Sequence, residues 1–379
     1  MRKRTSSPET PENLTRPSTQ SIKYAGSKRE LLPHLLAMLQ ELKVASVFDG
    51  FSGTTRVSQA LAQRQYSVVC NDIADWSHML GNCYLMNTQR PAYYADVLSH
   101  LNGLEGHHGW YSEHYGGEDF AGSAIQRDGF KRPWQLHNTR KLDAIRDEID
   151  RLGLNTVEKA TVLTSLMLAL DEVDNTLGHF ASYLKCWSPR SYKTMHLKVP
   201  RYCEATQKHT VLQGDIFKVA PSVTADFSYL DPPYGSNNEK MPSSRVRYAA
   251  YYHVWTTLCR HDKPELFGAA RRRSDSVDGA RPSVFEEFRN DTDGRSIAVK
   301  AIDNLISAIN SRYVALSYSS CGKANAAELN DILKKHGTLI KTLELDYRKN
   351  VMAEMRWTHQ WLRETEETNR EFIFLLEKQ

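Results

Sequence analysis

The sequence predicts an α/β fold built on an open, mostly parallel sheet that a long insertion divides. Three observations carry that expectation. Short apolar runs end repeatedly in an acid, at Asp49, Asp72, Asp215 and Asp231. The first two are joined by a glycine turn and a helical stretch, which is the order of a strand, turn, helix, strand unit. Segments that read alternately as helix and strand then follow Asp231.

Residues 1 to 20 are rich in Ser, Thr, Pro and Glu and carry almost no large apolar side chains, so they are read as a disordered tail. Order is expected to begin at Ile22-Lys23-Tyr24-Ala25-Gly26-Ser27-Lys28, a loop leading into a helix from about Arg29 to Leu42 with Leu31, Leu32, Leu35, Leu36 and Leu39 as its apolar positions. Lys28 follows a Gly-Ser turn, where it is either solvated or placed to meet an anionic group. Ala45 to Asp49 reads as a strand, Gly50-Phe51-Ser52-Gly53-Thr54-Thr55 as a turn that lets backbone approach a ligand, and the following residues through Leu61 as a helix. Tyr66 to Cys70 reads as a second strand ending in Asn71-Asp72. An acid there either accepts hydrogen bonds from ribose hydroxyls or caps the next helix.

From 76 to 206 the chain changes character and is read as the insertion. Glycine, histidine and aromatic residues crowd 103 to 122, which is expected to be a long loop, and helices are expected over 138–152 and 155–173. The segment Trp187-Ser188-Pro189-Arg190-Ser191-Tyr192-Lys193 interleaves basic, hydroxyl and aromatic side chains. It is either a contact for phosphates and bases, through Arg190 and Lys193, or an exposed loop packed by its own rings.

The sheet resumes at Thr210 to Asp215, and residues 225 to 230 read as a buried strand that runs into Asp231-Pro232-Pro233-Tyr234. Two prolines forbid the strand or a helix from continuing, so Asp231 and Tyr234 stand in a rigid turn at a strand's carboxyl end, where open α/β sheets bind ligands. The chemistry that suits such a turn is alkylation of a planar amine. A carboxylate and the Pro232 carbonyl would accept the two amino hydrogens and free the nitrogen lone pair, with Tyr234 stacking on the ring. Residues 236 to 292 form a polar stretch with Arg245, Arg247, Tyr248, Tyr251, Tyr252 and Arg271-Arg272-Arg273, suited to a charged substrate or to solvation. A helix near 298–311, a strand over Tyr313–Ser319, a helix over 324–336 and a strand over Thr338–Leu345 come next. A charged segment with Arg348, Met352 and Trp357 precedes a closing strand, Glu371 to Leu376, which would give a late antiparallel pair.

Composition bounds the function classes. The chain has 379 residues, 40% hydrophobic and 25% charged, as in globular domains. No apolar run approaches a membrane span and no apolar signal core follows Met1, so a cytoplasmic location is expected. The six cysteines form no Cys-x-x-Cys pair and the histidines have no ligand spacing, which argues against a metal site. A net charge of +4 permits a polyanionic partner.

The lysine-bearing loop, the Phe-x-Gly loop and the Asp-Pro-Pro-Tyr turn occur in the order that resembles the Dam-like class of DNA adenine-N6 methyltransferases. The resemblance runs from Ile22 to Lys378 and includes the closing Phe-x-Phe-Leu-Leu-x-Lys strand. It implies a Rossmann-like, S-adenosylmethionine-dependent methyltransferase sheet, over residues 21–75 and 207–379, with a largely helical target-recognition insertion over 76–206. By position it implies that Tyr24, Lys28, Phe51, Gly53, Asp72 and Asp215 bind the cofactor, and that Asp231, Pro232, Pro233 and Tyr234 hold the target base. Arg190, Lys193, Arg245, Arg247, Tyr251 and Tyr252 are the candidate DNA contacts. Thr55 stands where the family loop usually has its second glycine, and is expected to start the helix at negative φ. The implied partner is double-stranded DNA, met by a monomer, with a cognate restriction endonuclease acting on the same site. Methylation of RNA adenines or protein glutamine amides, and silent DNA binding on the same fold, are the competing readings. A cytosine-C5 enzyme is disfavoured, because no Pro-Cys pair occurs.

Overall fold

The structure, a computed structural model, describes residues 17–24, 26, 28–202, 207–234, 248–276, 283–287, 289–320, 322–346 and 370–379. Seven strands form one sheet: β1 (Ser46–Asp49), β2 (Ser67–Asp72), β3 (Thr210–Gln213), β4 (Thr224–Leu230), β5 (Asn310–Ser319), β6 (Gly337–Asp346) and β7 (Arg370–Lys378). Their spatial order is β6-β7-β5-β4-β1-β2-β3. Every pairing is parallel except those of β7, which is antiparallel to both β5 and β6. The late antiparallel pair read from the sequence is therefore one reversed strand wedged between two parallel ones. The sheet is Rossmann-like, and its order reverses between β1 and β4, where a crevice opens at the carboxyl ends.

The sheet is covered on both faces, which explains why its strands are near-continuous apolar runs. In β7, Ile373 and Leu375 pack with Leu35, Leu39, Val47, Val68 and Phe227 on one face. Phe374 and Leu376 pack with Phe48, Leu230, Ile302, Leu305 and Leu316 on the other. Helices Leu32–Leu42 and Ile297–Ala308 supply the outer layers of these two faces. The latter helix ends at Ala308 rather than near 311, because Asn310 already pairs with Thr224 in the sheet.

A third apolar cluster joins the inserted region to later residues. Helices Asp75–Leu85, Leu136–Arg151 and Thr156–Glu172 meet there, the last started by a capping box between Asn155 and Glu158. Helix Asp75–Leu85 spans the boundary read at residue 76 and lies close on the sheet, since a Cβ on Gly81 would come 2.8 Å from Val211 Cγ1. The stretch read as polar, 236–292, contributes helix His253–Arg260 to this cluster, with Val254, Trp255 and Leu258 buried beside Tyr111, Trp134 and Leu166. Its charged residues sit on either side of an apolar core segment, and composition averages over the two. Likewise, the Gly- and His-rich stretch read as a loop holds a helical turn at Trp110–Tyr115, because Asp143 accepts the backbone N–H groups of Gly109, Tyr111 and Ser112.

Residues 17 to 20, read as part of the tail, are held against helix Arg56–Gln63. Arg56 donates to the carbonyls of Thr19 and Ser21, Gln59 to that of Gln20 at 2.9 Å, and Gln63 to that of Ser18 at 2.9 Å. Polar residues lacking apolar anchors are ordered here by side chains from elsewhere, which composition cannot reveal. Cys70, Cys83 and Cys259 are buried free thiols and Cys186 an exposed one. Among the described residues no helix is long and apolar enough to cross a membrane, and no group of three or more His, Cys, Asp or Glu is placed to hold a metal ion.

Candidate active site

Strands β1 and β4 lie side by side with Asp49 opposite Tyr229, so the turns that follow them open into the same crevice. The Gly50 N–H donates to the Tyr229 carbonyl at 3.0 Å, and a Cβ on Gly50 would come 2.9 Å from Leu230 Cδ2. A larger residue there would have to push the Leu230 and Ile216 methyl groups aside. Gly53 takes a positive φ of 46° and donates its N–H to Asp72 Oδ2 at 2.8 Å, while Asp72 Oδ1 accepts the Ala74 N–H at 2.9 Å. Asp72 thus pins the turn rather than capping helix Asp75–Leu85, whose N-cap is Ala74. Thr55 departs from expectation. It takes a positive φ of 59°, because the turn needs a left-handed residue where the family has glycine, and its hydroxyl accepts from Gln59 Nε2 at 3.1 Å.

A cavity of about 520 Å³ occupies the crevice. Tyr24, Lys28, Phe51, Gly53, Asp72, Asp215 and the whole turn from Asp231 to Tyr234 line it. Asp215 also caps the short helix Ile216–Val219 by accepting the Phe217 N–H at 3.0 Å. Ile73, 69% exposed, stands beside Asp72 at the cavity wall, an apolar surface that a bound ring would cover.

Lys28 is buried beside the Asp231 turn. Its Nζ donates to Glu371 Oε1 at 2.5 Å and lies 3.0 Å from Asp231 Oδ1. Burial works against the ammonium, but Asp231, Tyr234 and Glu371 outweigh it and hold the Lys28 pKa well above the ordinary value. Burial pushes the Asp231 carboxyl up, against the pull of Lys28 and with the push of Glu371. Lys28 is the ion-pair partner of Asp231 Oδ1, an oxygen with no access to solvent. Tyr234 is braced from behind: its carbonyl accepts the Lys323 N–H at 3.1 Å, and its ring centroid lies 5.5 Å from that of Tyr318.

Aromatic rings close the cavity's flanks. Tyr24 stacks on Tyr252 at 4.8 Å and on Tyr248 at 5.5 Å, and Phe51 meets Phe285 edge-on, which in turn stacks on Phe217. Glu371, Phe217 and Phe285 were not identified from the sequence as site residues, whereas Tyr248 belongs to the stretch read there as suited to a charged substrate. Phe217 lies two residues beyond Asp215 and Glu371 is the second residue of the closing strand, but neither position belongs to a motif.

The candidate DNA contacts fare differently. Lys193 is exposed. Arg190 is committed inside the protein: its guanidinium pairs with Asp174 at 2.7 Å and donates to the carbonyls of Asp174 and Thr176. Tyr252 is 1% exposed and stacked on Tyr24, and Tyr251 is buried against His179, so neither reaches a surface. Arg245 and Arg247 lie outside the described residues, as do Arg348, Met352 and Trp357.

Two predictions arise from the acids here. Asp72→Ala removes the carboxylate from the cavity and frees the Gly53 turn, so cofactor affinity is expected to fall roughly 30-fold, about 2 kcal/mol, in calorimetric titration. Asp49, beneath the turn, donates nothing to the cavity. Burial, with Asp231 and Asp72 nearby and against the Ser58 hydroxyl bond, pushes its carboxyl up to about 7. A folded-state pKa raised above the unfolded one means that stability falls as pH rises through the interval between them. Asp49→Asn is therefore expected to flatten the loss of unfolding free energy between pH 5 and 8 by on the order of 2 kcal/mol in urea titrations.

With this geometry in hand, comparison with known proteins is decisive for the family. The family model for the D12 class of N6 adenine-specific DNA methyltransferases matches residues 24–307. The chain belongs to that family. Modification methylase StsI of Streptococcus sanguinis is 26% identical over 349 residues, covering 86% of this chain and 48% of StsI. Type II methyltransferase M.FokI of Planomicrobium okeanokoites is 25% identical over 374 residues, covering 94% and 53%. Type II methyltransferase M.NlaIII of Neisseria lactamica is 23% identical over 337 residues, covering 86% and 92%. This D12 class chain thus spans about half the length of StsI and M.FokI and most of M.NlaIII. The site fits S-adenosylmethionine, the cofactor that the resemblance implies: carboxylates at Asp72 and Asp215, the exposed Ile73 at the wall, and a glycine turn that admits close approach.

Proposed function

We propose that the chain methylates the 6-amino nitrogen of adenine within a short DNA sequence. The observation that carries this reading is the Asp231 carboxylate, held at the cavity wall by the proline turn and by Lys28 at 3.0 Å. An amino group entering the turn donates one hydrogen to the Asp231 carboxylate, whose Oδ1 Lys28 holds, and the Pro232 carbonyl accepts its second hydrogen. Both acceptors draw the nitrogen toward tetrahedral geometry, and Tyr234, fixed by Lys323 and Tyr318, holds the ring. Asp72 and Asp215 hold the cofactor's ribose and adenine, over the floor formed by Phe51 and Gly53. When bound, S-adenosylmethionine supplies a methyl group on a positively charged sulfur. The target adenine is stacked inside a duplex and has to be flipped out, at a cost of a few kcal/mol.

Sequence reading is assigned to the inserted region. Segments 118–132 and 185–193 share a face on which Phe120, Ile125, Phe130 and Tyr192 are exposed together with Arg127 and Lys193. Tyr192 donates to Asp119 at 3.1 Å, and Trp187 N–H to the Gly122 carbonyl, so the two segments form one surface. Exposed cations and rings on adjoining segments, with Arg127 lying over Phe120 and Arg271 over Phe130, suit phosphates and base edges. The relatives named modification methylases extend the reading to a restriction-modification pair, in which an endonuclease cuts the same sequence when it is unmethylated.

Single-molecule sequencing of DNA from a methylation-deficient bacterial host expressing the chain tests this. Modified adenines confined to one short context support it. Unmodified DNA despite folded, cofactor-binding protein would sink it, in favour of RNA or glutamine substrates or silent binding.

A further inference from the structure

Thr55 ends the glycine turn with φ 59° and ψ 12°, a left-handed conformation that strains a β-branched residue and that glycine takes freely. Its side chain is fully buried and its hydroxyl has two partners. It donates to the Thr54 carbonyl at 2.7 Å and accepts Gln59 Nε2 at 3.1 Å, from within helix Arg56–Gln63. With its hydrogen so engaged, the oxygen offers only lone pairs, and the Gln59 amide must face it with the NH2 group. That orientation sends the second Nε2 hydrogen to the Gln20 carbonyl at 2.9 Å and leaves Oε1 to accept the Gln20 N–H at 3.1 Å. Reversed, the amide would set oxygen against oxygen and N–H against N–H.

We propose that Thr55 is a positioning residue for the cofactor site: its hydroxyl sets the Gln59 amide, which clamps Gln20 and so couples the glycine turn to the amino-terminal segment that carries Tyr24. The inference rests on the cofactor reading given above. Both ends of this chain of hydrogen bonds meet the cavity. At one end the Thr55 N–H closes the turn on the Ser52 carbonyl at 2.6 Å, and Ser52, Gly53 and Thr54 are part of the cavity wall. At the other, Tyr24 follows Gln20 by four residues, lines the same cavity, and has its ring 3.6 Å from the place of a Cβ on Gly53. Arg56 and Gln63 hold the carbonyls of Ser18, Thr19 and Ser21, so this segment is tied along its length to the helix that the turn starts. Glycine would relieve the backbone of Thr55 but has no hydroxyl to orient Gln59, and a strained residue at a ligand site is one that its surroundings hold there. By reciprocity, a clamp that tightens cofactor binding is itself tightened by the cofactor to the same degree.

The test compares the native chain with Thr55→Ser, Thr55→Ala and Gln59→Ala. The serine and alanine variants both lose the methyl group and both keep a Cβ at positive φ, so they differ in the hydroxyl alone. Calorimetric titration with S-adenosylmethionine is one readout, and hydrogen exchange of the Gln20 amide with and without that cofactor is the other. Thr55→Ala is expected to weaken cofactor binding roughly threefold to tenfold and to speed Gln20 exchange by a similar factor, while Thr55→Ser stays within about twofold of native on both. Gln59→Ala is expected to match Thr55→Ala, and the double variant to lose no more than either, because both break one chain of bonds. Saturating cofactor is expected to slow Gln20 exchange in the native chain and not in Thr55→Ala. Native affinity in Thr55→Ala, additive losses in the double variant, or Gln20 exchange that ignores the cofactor in the native chain would overturn the inference. So would an equal loss in Thr55→Ser, which makes Thr55 a packing residue. If Thr55→Ala does not fold, Gln59→Ala carries the test with the same limits. A native chain that binds no S-adenosylmethionine sinks the cofactor reading instead, and Gln20 exchange in Thr55→Ala against Thr55→Ser then judges the clamp.

Discussion

Asp231→Ala is expected to lower methyl transfer to DNA by at least about 1,000-fold, roughly 4 kcal/mol of transition-state stabilisation, while cofactor affinity stays within a few-fold. The asymmetry follows from where the residue sits. Asp231 follows β4, and the carboxylates of Asp72 and Asp215 are supplied by other segments, at the end of β2 and after β3. The fold is expected to tolerate the change, because Lys28 keeps Glu371 as its partner and the buried charges then balance one to one. Asp231→Asn is the sharper variant. Its amide retains one acceptor but places a donor pair beside Lys28 and the incoming amino group, so a loss of the same order is expected with the shape of the turn preserved. Transfer of labelled methyl groups to an oligonucleotide carrying the recognised sequence measures the rate, and calorimetry the affinity. Substantial activity in the alanine variant would contradict the assignment of the catalytic acceptor.

Lys28→Ala is expected to be the most destabilising single change at the site. It leaves Asp231 and Glu371 together in a buried setting with no cation between them, and removing one member of a buried ionic group costs about 3–5 kcal/mol. The sign with pH follows from the same cause. Without the ammonium, burial and the nearby Glu371 hold the folded-state Asp231 carboxyl above its unfolded value, so the destabilisation is greatest above neutrality and shrinks as pH falls and it protonates. Urea titrations at pH 5 and 8 are expected to show the larger deficit at pH 8. The double variant Lys28→Ala with Glu371→Gln is expected to recover part of it, since only one buried anion then remains. Additive losses would mean that the three groups do not act as a unit.

The sheet and the two loops that end its central strands were legible because their signals are local. An apolar run stopped by Asp49-Gly50 or Asp231-Pro232-Pro233 carries its own explanation. What escaped the sequence depends on which way a side chain faces and on what arrives from far away. Arg190 and Tyr252 have the chemistry of nucleic-acid contacts, yet one is consumed by Asp174 and the other by Tyr24, and nothing near them in the chain announces either partner. Thr55 was expected at negative φ from its side chain, but the turn geometry prevailed over residue preference. Glu371 belongs to a strand whose apolar pattern was plain, although its place beside Lys28 is set by the register Glu371 to Ser319 across β7 and β5.

The reversed strand β7 has a consequence for the order in which the protein is made. β5 and β6 both precede it in the chain, yet β6 reaches the rest of the sheet only through β7. Until residues 370 to 378 leave the ribosome, β5 therefore presents an open edge with Val314 and Leu316 on it, and β6 has no strand to pair with. Translation from residue 320 to residue 378 lasts roughly 3–12 s at ordinary rates. The closing strand is thus needed twice, to cover the β5 edge and to give β6 its partner.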